Sequence, residues 1–431
     1  MQYHHTHTRR DLSLQDTIQL KKNLTVLSGA AMTTGAVLGA GIIVLPAITA
    51  IMAGPASILS WALMGVLTIP MIFIIGRLAI QYPDAGGMAT YVQHGLGNIF
   101  SRWLSLLMMT ALPFGMPITA LIGAHYLGTF FHWPSSSIHL CAGIMILLAV
   151  CLNYRGIQLA GRTQVFVVSI ILLILAGAIY SGLPQVQTAA FTPFLINGWY
   201  AVGQASALTF FAFTGWEMIS YLAEEFHDPV HDIPKCLGIS ALIINAFYLS
   251  ISFVTIGTSV YLSDTPATAL LELITFHFGS QAASLLSILG CLACYCPIHI
   301  YMAGFSRLIY AQAREGSLPL FFSYLHPQFH TPHRALLAFL PVALLVLTVT
   351  YAFSFDLQLL INIPCANFLM IYALGMAAAI RLLQKSWEKI IAGLTTAAMI
   401  VLYFLTGWYA IFSVIITILF LLNEYRKTKT F

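Results

Sequence analysis

Apolar residues in this 431-residue chain do not alternate with polar ones at a strand or amphipathic-helix period; they gather into long runs. A helix needs about 20 such residues to cross a bilayer. Runs near that length fall at 24–53, 56–80, 103–126, 138–154, 163–182, 201–223, 236–262, 281–306, 334–353, 357–380, 389–405 and 407–422, predicting twelve spans. The pattern describes an all-α integral membrane protein with polar tails at 1–23 and 423–431. The first run is far longer than the apolar core of a signal peptide, so it is expected to remain as an anchor.

Two of the runs are broken by glycine. One reads TTGAVLGAGIIVLP over 33–46, with Gly35, Gly39 and Gly41 ahead of Pro46; the other reads FAFTGWE over 211–217. Glycine costs about 1 kcal/mol in a helix interior, and unwound backbone inside a bilayer survives only where it is buried in protein or lines a cavity. The breaks occupy spans one and six, equivalent positions in two five-span halves at 24–182 and 201–380, with two more spans at 389–422. An odd number of spans per half forces the halves into opposite orientations, the mark of an inverted-repeat transporter with its site at the midplane. Two glycine kinks that only let helices pack closely are the alternative.

The chemistry follows from helix ends. A half-helix that starts after an unwound turn presents free N–H groups and a positive dipole end, suited to a carboxylate. The turn Gly39-Ala40-Gly41-Ile42 is the candidate, because glycine admits a ligand close to the backbone. Carbonyls at the second break, around Phe211, Phe213, Thr214 and Gly215, would accept from an ammonium group. Together the breaks would grip both ends of an α-amino acid.

Glu217 lies in the second broken segment, one of 14 acidic residues in the chain. A carboxylate at bilayer depth costs roughly 2.5–3.5 kcal/mol on insertion scales and usually marks a substrate path or proton relay. Glu217 is therefore a proton-coupling candidate; the alternative is a carboxyl that only hydrogen-bonds a neighbouring helix. Apolar and sulfur-bearing side chains, Met109, Phe114, Phe210 and Trp216, are expected to surround an aliphatic substrate tail.

Composition supports the membrane assignment: 59% of residues are hydrophobic and 7% charged, with a mean hydropathy of +0.88. If the amino terminus is placed inside and the spans alternate, all 18 Lys and Arg fall on the inside, while the outside loops carry Asp264, Glu272 and Asp356. By the positive-inside rule both termini are cytoplasmic. The net charge of +4 then reports topology and excludes a nucleic-acid partner. The seven cysteines, at 141, 151, 236, 291, 294, 296 and 365, avoid the outside loops and are expected as free thiols. His4, His5 and His7 are too loosely spaced to define a metal site. No metal, nucleotide, flavin or haem motif stands out, and neither the clustered polar groups of a membrane enzyme nor the repeated ring of a channel is present.

Five motifs, GAGI at 39–42 with Pro46, YPDAGGMATY at 82–91, FTGWE at 213–217, EEFHDPVHDIPK at 224–235 and RLIYAQAREGSLP at 307–319, occur in order over roughly 24–380. In these the chain resembles the amino acid–polyamine–organocation transporter superfamily, and most of all its bacterial exporters of methionine and branched-chain amino acids. The resemblance implies a LeuT-like five-plus-five inverted repeat with two extra C-terminal helices. It further implies a carboxylate at the GAGI turn, an amino group at the FTG turn, Phe211 at the outer-gate position and Glu217 as the acid associated with proton sensing. Sodium-coupled relatives carry hydroxyl side chains on span eight, where this chain reads CLACYCPIHIY at 291–301; proton-coupled ones can carry a lysine in span five, and none follows Arg162. His299 adds a titratable group with an ordinary pKa near 6.5, read either as a second coupling residue or as a neutral histidine bonded within the bundle. Acidic Glu224, Glu225, Asp228 and Asp232 share the inside face with Arg77, Arg102, Arg155, Arg162, Arg307 and Arg314, so an inner salt-bridge gate is a further expectation.

The combined expectation is a secondary transporter of small neutral amino acids of the methionine, leucine, isoleucine and valine type in a bacterial inner membrane, working by proton-coupled efflux (antiport). Its partners are substrate, protons and lipid. Uptake or exchange by the same fold is the alternative. With Glu217 the one charge at depth, arginine and polyamines are disfavoured.

Overall fold

A computed structural model describes residues 24–83, 86–262, 269–314, 316, 318–353 and 357–429. The tail histidines His4, His5 and His7, together with Asp84, Asp264 and Asp356, lie outside the described residues. So do the side chains of Ala40 and Arg162.

Span one is two helices, α1 (Val26–Val37) and α2 (Ala40–Ala53), and span six is α8 (Gly198–Ala212) followed by the four-residue α9 (Met218–Tyr221). Between them run α3 (Ser57–Gln81), the short α4 (Met88–Leu96), α5 (Asn98–Phe131), α6 (Ser135–Arg155) and α7 (Ile157–Gly182). The second half continues with α10 (Pro229–Gly257), α11 (Ala269–Arg314), α12 (His333–Phe353) and α13 (Leu357–Leu382), and α14 (Ser386–Leu405) and α15 (Ile411–Lys429) close the chain. Ten described helices are long and apolar enough to span a membrane. One of these stretches, Val26–Gln81, covers spans one and two, and span six is too finely broken to count, so twelve membrane segments result. Among the described residues the one β element is an isolated bridge between Leu24 and Phe226.

The breaks have different local causes. At the first, Leu38 leaves helical geometry and the N–H of Gly39 turns back onto Val37 O at 2.9 Å. Gly39 has negative φ, so its lack of a Cβ serves packing: a Cβ there would stand 2.6 Å from Pro297 Cγ. At the second, Gly215 takes φ +119°, a conformation that L side chains rarely adopt. The packing brings both breaks together. A Cβ on Gly41 would stand 2.8 Å from Ala212 Cα, and one on Gly215 would stand 2.9 Å from the carbonyl carbon of Ala36.

All seven cysteines are free thiols. The residue shortly before α1 pairs with the segment after span six through Leu24 N–H to Glu225 O at 2.9 Å. Beside that contact Arg307 donates to Glu225 at 2.5 Å, both side chains buried. Arg77 and Arg102 are used elsewhere, Arg77 on Glu388 at 3.2 Å and Arg102 on Glu424, which tie α14 and α15 to the core. Among the acidic and basic groups singled out above, Glu225 and Arg307 thus form a buried ion pair beside the Leu24–Glu225 contact. Asp228 instead caps α10, accepting from His231 N–H and pairing with its imidazole at 2.7 Å, which holds the exposed carboxyl below its usual pKa.

Candidate functional site

A cavity opens where the two breaks meet. Its walls are Ala36, Val37, Gly39 and Gly41 of span one, Phe211 and Thr214 of span six, and side chains from three further helices. Leu112, Gly115, Met116 and Thr119 project from one face of α5 at helical spacing; Pro297, Ile298 and Tyr301 come from α11, and Phe368 from α13. None of these lining residues carries a charge.

The first break supplies donors. Gly39 is the N-cap of α2 and gives it no side-chain cap, so the first N–H groups of that helix, from Ala40, Gly41 and Ile42, have no capping partner. Gly39 has already spent its own N–H on Val37. Its contribution is space against Pro297, while Gly41 borders the cavity directly. The Ile42 side chain points into the core, fully buried, and only its backbone can serve a ligand.

The second break is largely filled by its own chain. Thr214 donates both its N–H (3.3 Å) and its hydroxyl (2.8 Å) to Phe211 O, which occupies that carbonyl's two lone pairs. The Phe211 carbonyl therefore has no lone pair left over, although the residue borders the cavity. Glu217 bends back so that Oε2 accepts from Gly215 N–H at 2.9 Å and from the Tyr372 hydroxyl. Its other oxygen, Oε1, is buried without a hydrogen-bond partner. Tyr301 lines the cavity from α11, and its buried hydroxyl has no hydrogen-bond partner.

Several expected residues stand outside the cavity. Phe213 packs edge-on to Tyr248 at 4.8 Å, and Phe210 edge-on to Tyr372 at 5.4 Å. Phe114 turns outward to Phe412. Trp216 is fully buried with Nε1 unpartnered. Met109 is one turn before Leu112 on α5, beyond the lining. The apolar wall thus comes from Leu112, Met116, Ile298 and Phe368 instead of the four side chains expected, because helix rotation turns those into the core, toward α13 or toward α15. His299 is buried beside Asn153 (Nδ2 to Nδ1, 3.2 Å) and Tyr295 (3.1 Å), not in the lining, and its Nε2 has no partner. Sequence reasoning missed Tyr248, Tyr301 and Tyr372. The available signal was a tyrosine in the middle of each of three apolar spans.

A broken-helix bundle with an uncapped half-helix at a buried, uncharged cavity is the architecture of a multi-pass membrane transporter, not of an enzyme. The chain belongs to the amino acid permease family, whose sequence profile matches residues 24–430, and it is an amino acid transporter of the wider amino acid–polyamine–organocation superfamily. It is 38% identical over 401 residues to the amino acid permease YecA of Bacillus subtilis, covering 92% of this chain and 94% of that protein. Identity is 28% over 414 residues to the L-methionine/branched-chain amino acid exporter YjeH of Escherichia coli, covering 95% and 98%. It is also 28% over 404 residues to the human large neutral amino acids transporter small subunit 2, covering 86% and 71%. In fold it is similar to MhsT in complex with L-phenylalanine, with a TM-score of 0.69 at 13% identity, covering 91% of this chain and all of that one.

Proposed function

We propose that the chain exports small neutral amino acids of the methionine, leucine, isoleucine and valine type from the bacterial cytoplasm in exchange for protons. The observation that carries this reading is the cavity itself: an uncapped helix N-terminus on one wall, apolar side chains on the others, and no charged residue in the lining. A carboxylate is welcome there, whereas a guanidinium or second carboxylate would be buried without a counter-charge. The similarity to a methionine and branched-chain amino acid exporter along 95% of the chain supports the substrate class and direction.

In this reading the basic end of the bundle faces the cytoplasm, and the Glu225–Arg307 pair closes it. Separating two buried, hydrogen-bonded charges is costly, so the closed form is held until substrate and proton occupancy change the contacts above it. Glu217 takes up the proton. It is joined to the second break through Gly215, so a change in its charge alters that turn.

Counterflow into purified proteoliposomes tests this, with labelled amino acids at two pH values and with and without sodium. Methionine, leucine, isoleucine and valine should exchange, with a pH dependence and no sodium dependence. Strong competition by arginine, lysine, glutamate or putrescine, or a sodium requirement, would overturn the reading. Accumulation driven inward by a proton gradient would make it an uptake permease.

A further inference from the structure

A second cavity, of about 490 Å³, lies on the flank of the bundle between α6 and α12. It shares no lining residue with the cavity between the breaks. Its polar lining residues, Ser136, His139, Thr348 and Tyr351, gather at one end, where α6 begins and α12 finishes; every other lining residue is leucine, isoleucine or glycine. The rings of His139 and Tyr351 meet edge-on at 5.1 Å across that end. Arg155 and Arg334 stand at the opposite ends of the same two helices. With the basic end facing the cytoplasm, as proposed above, the polar end lies in the outer leaflet. Leu140, Ile144, Leu147 and Leu344 along the rim are exposed on helices long and apolar enough to span a membrane.

Length and polarity together select the occupant. Ser136 and Leu147 stand eleven residues apart on α6, as do Leu340 and Tyr351 on α12, so at 1.5 Å per residue each wall is about 16 Å long. Half the hydrocarbon core of a bilayer is about 15 Å. A slot one leaflet deep, apolar along its length and polar at the interface, fits one acyl chain with its headgroup above it. Gly143 gives the slot its depth, since a Cβ there would have just Leu347 Cδ1, at 3.9 Å, as a near neighbour. The polar end selects the headgroup. The lining holds no carboxylate, lysine or arginine, so a headgroup with net charge would lack a counter-charge. Nδ1 of His139 donates to Ser135 O at 2.8 Å, which leaves the lone pair of Nε2 as an acceptor. Ser136 and Tyr351 bring hydroxyl donors, while Thr348 spends its own on Leu344 O at 2.8 Å. An acceptor beside donors matches the ammonium and the phosphate of a zwitterionic phosphoethanolamine.

We propose that the cavity between α6 and α12 seats one outer-leaflet phosphatidylethanolamine, with an acyl chain along Gly143 and Leu347 and the headgroup ammonium on His139. The lipid joins span four to span nine without entering the cavity between the breaks.

Native mass spectrometry tests this on the full-length protein, delipidated in detergent and titrated with dioleoyl phosphatidylethanolamine, phosphatidylcholine, phosphatidylglycerol or oleic acid. Wild type should retain one phosphatidylethanolamine about tenfold more tightly than phosphatidylcholine, whose quaternary ammonium has no N–H for His139, or than anionic phosphatidylglycerol. Gly143→Leu fills the slot and should weaken that retention at least tenfold. His139→Phe keeps a ring against Tyr351 and should still hold a lipid while levelling the preference among headgroups; a preserved preference would overturn the headgroup assignment. Equal retention of all four compounds by wild type, tightest binding of phosphatidylglycerol or oleic acid, or undiminished retention in Gly143→Leu would overturn the seat. So would a lipid-free dimer that Gly143→Leu dissociates, because the face would then be an interface between copies. Should Gly143→Leu fail to fold, Leu344→Trp fills the slot from the opposite wall, with the same loss expected and undiminished retention again overturning the proposal.

Discussion

The two broken helices look alike as sequence, each an apolar run interrupted at glycine, yet they are built to opposite ends. The first leaves its helix start open: no side chain caps α2, and its early N–H groups abut the cavity. The second satisfies itself, with Thr214 folded onto Phe211 O and Glu217 onto Gly215 N–H. One break leaves backbone donors uncapped and the other is a closed loop whose closure depends on a carboxyl group. Glycine alone therefore says that a helix is interrupted; the polar residues within two or three positions decide whether its backbone groups stay open or are satisfied by the chain itself.

The contrast predicts that the first break is sensitive to bulk and the second to loss of an acceptor. The largest effect is expected for Gly41→Val, which places a branched side chain against Ala212 Cα, where even a Cβ would stand at 2.8 Å. Methionine counterflow should vanish while the protein still elutes as a folded species in detergent, and wild-type affinity would remove this turn from the site. Next comes Glu217→Ala, which strips Gly215 N–H of its partner. An unsatisfied buried donor costs about 1–3 kcal/mol, to be read as a lowered unfolding midpoint alongside lost transport. Glu217→Gln keeps an acceptor of the same shape, so exchange should persist while the pH dependence of its rate flattens. A full wild-type pH profile in that variant would reduce Glu217 to a structural group and turn attention to His299.

The smallest effect lies outside both breaks. A Cβ at Gly115 would have just Pro364 Cβ, at 4.0 Å, as a near neighbour, so Gly115→Leu should fill cavity space without disturbing the helix. Half-saturation for methionine and leucine should rise about tenfold with alanine nearly unchanged, as expected when a pocket loses room for a few methylenes. Equal shifts for all three would show that this wall does not face the side chain.

Much of the contrast was legible in the chain. Run length predicts the spans, glycine at matched positions predicts the breaks at spans one and six, and an acid in an apolar segment singles out Glu217. What could not be read was rotation. Helices such as α5, α11 and α13 are apolar on nearly every side, so no periodicity separates the face toward the cavity from the face toward lipid. Met109 and Leu112 are equivalent as sequence, and only packing puts Leu112 in the wall. Tyr248 was hidden for a related reason, since its hydroxyl reaches carbonyls 211 and 36 residues away.

The central claim is that a neutral amino acid lies between the breaks with its carboxylate on the open start of α2. A structure of the protein with bound methionine tests it most directly. The account predicts carboxylate oxygens about 3 Å from the backbone nitrogens of Ala40, Gly41 and Ile42, with the thioether among Leu112, Met116, Ile298 and Phe368. Methionine bound elsewhere, or reversed so that its carboxylate meets the Thr214–Glu217 turn, would contradict it.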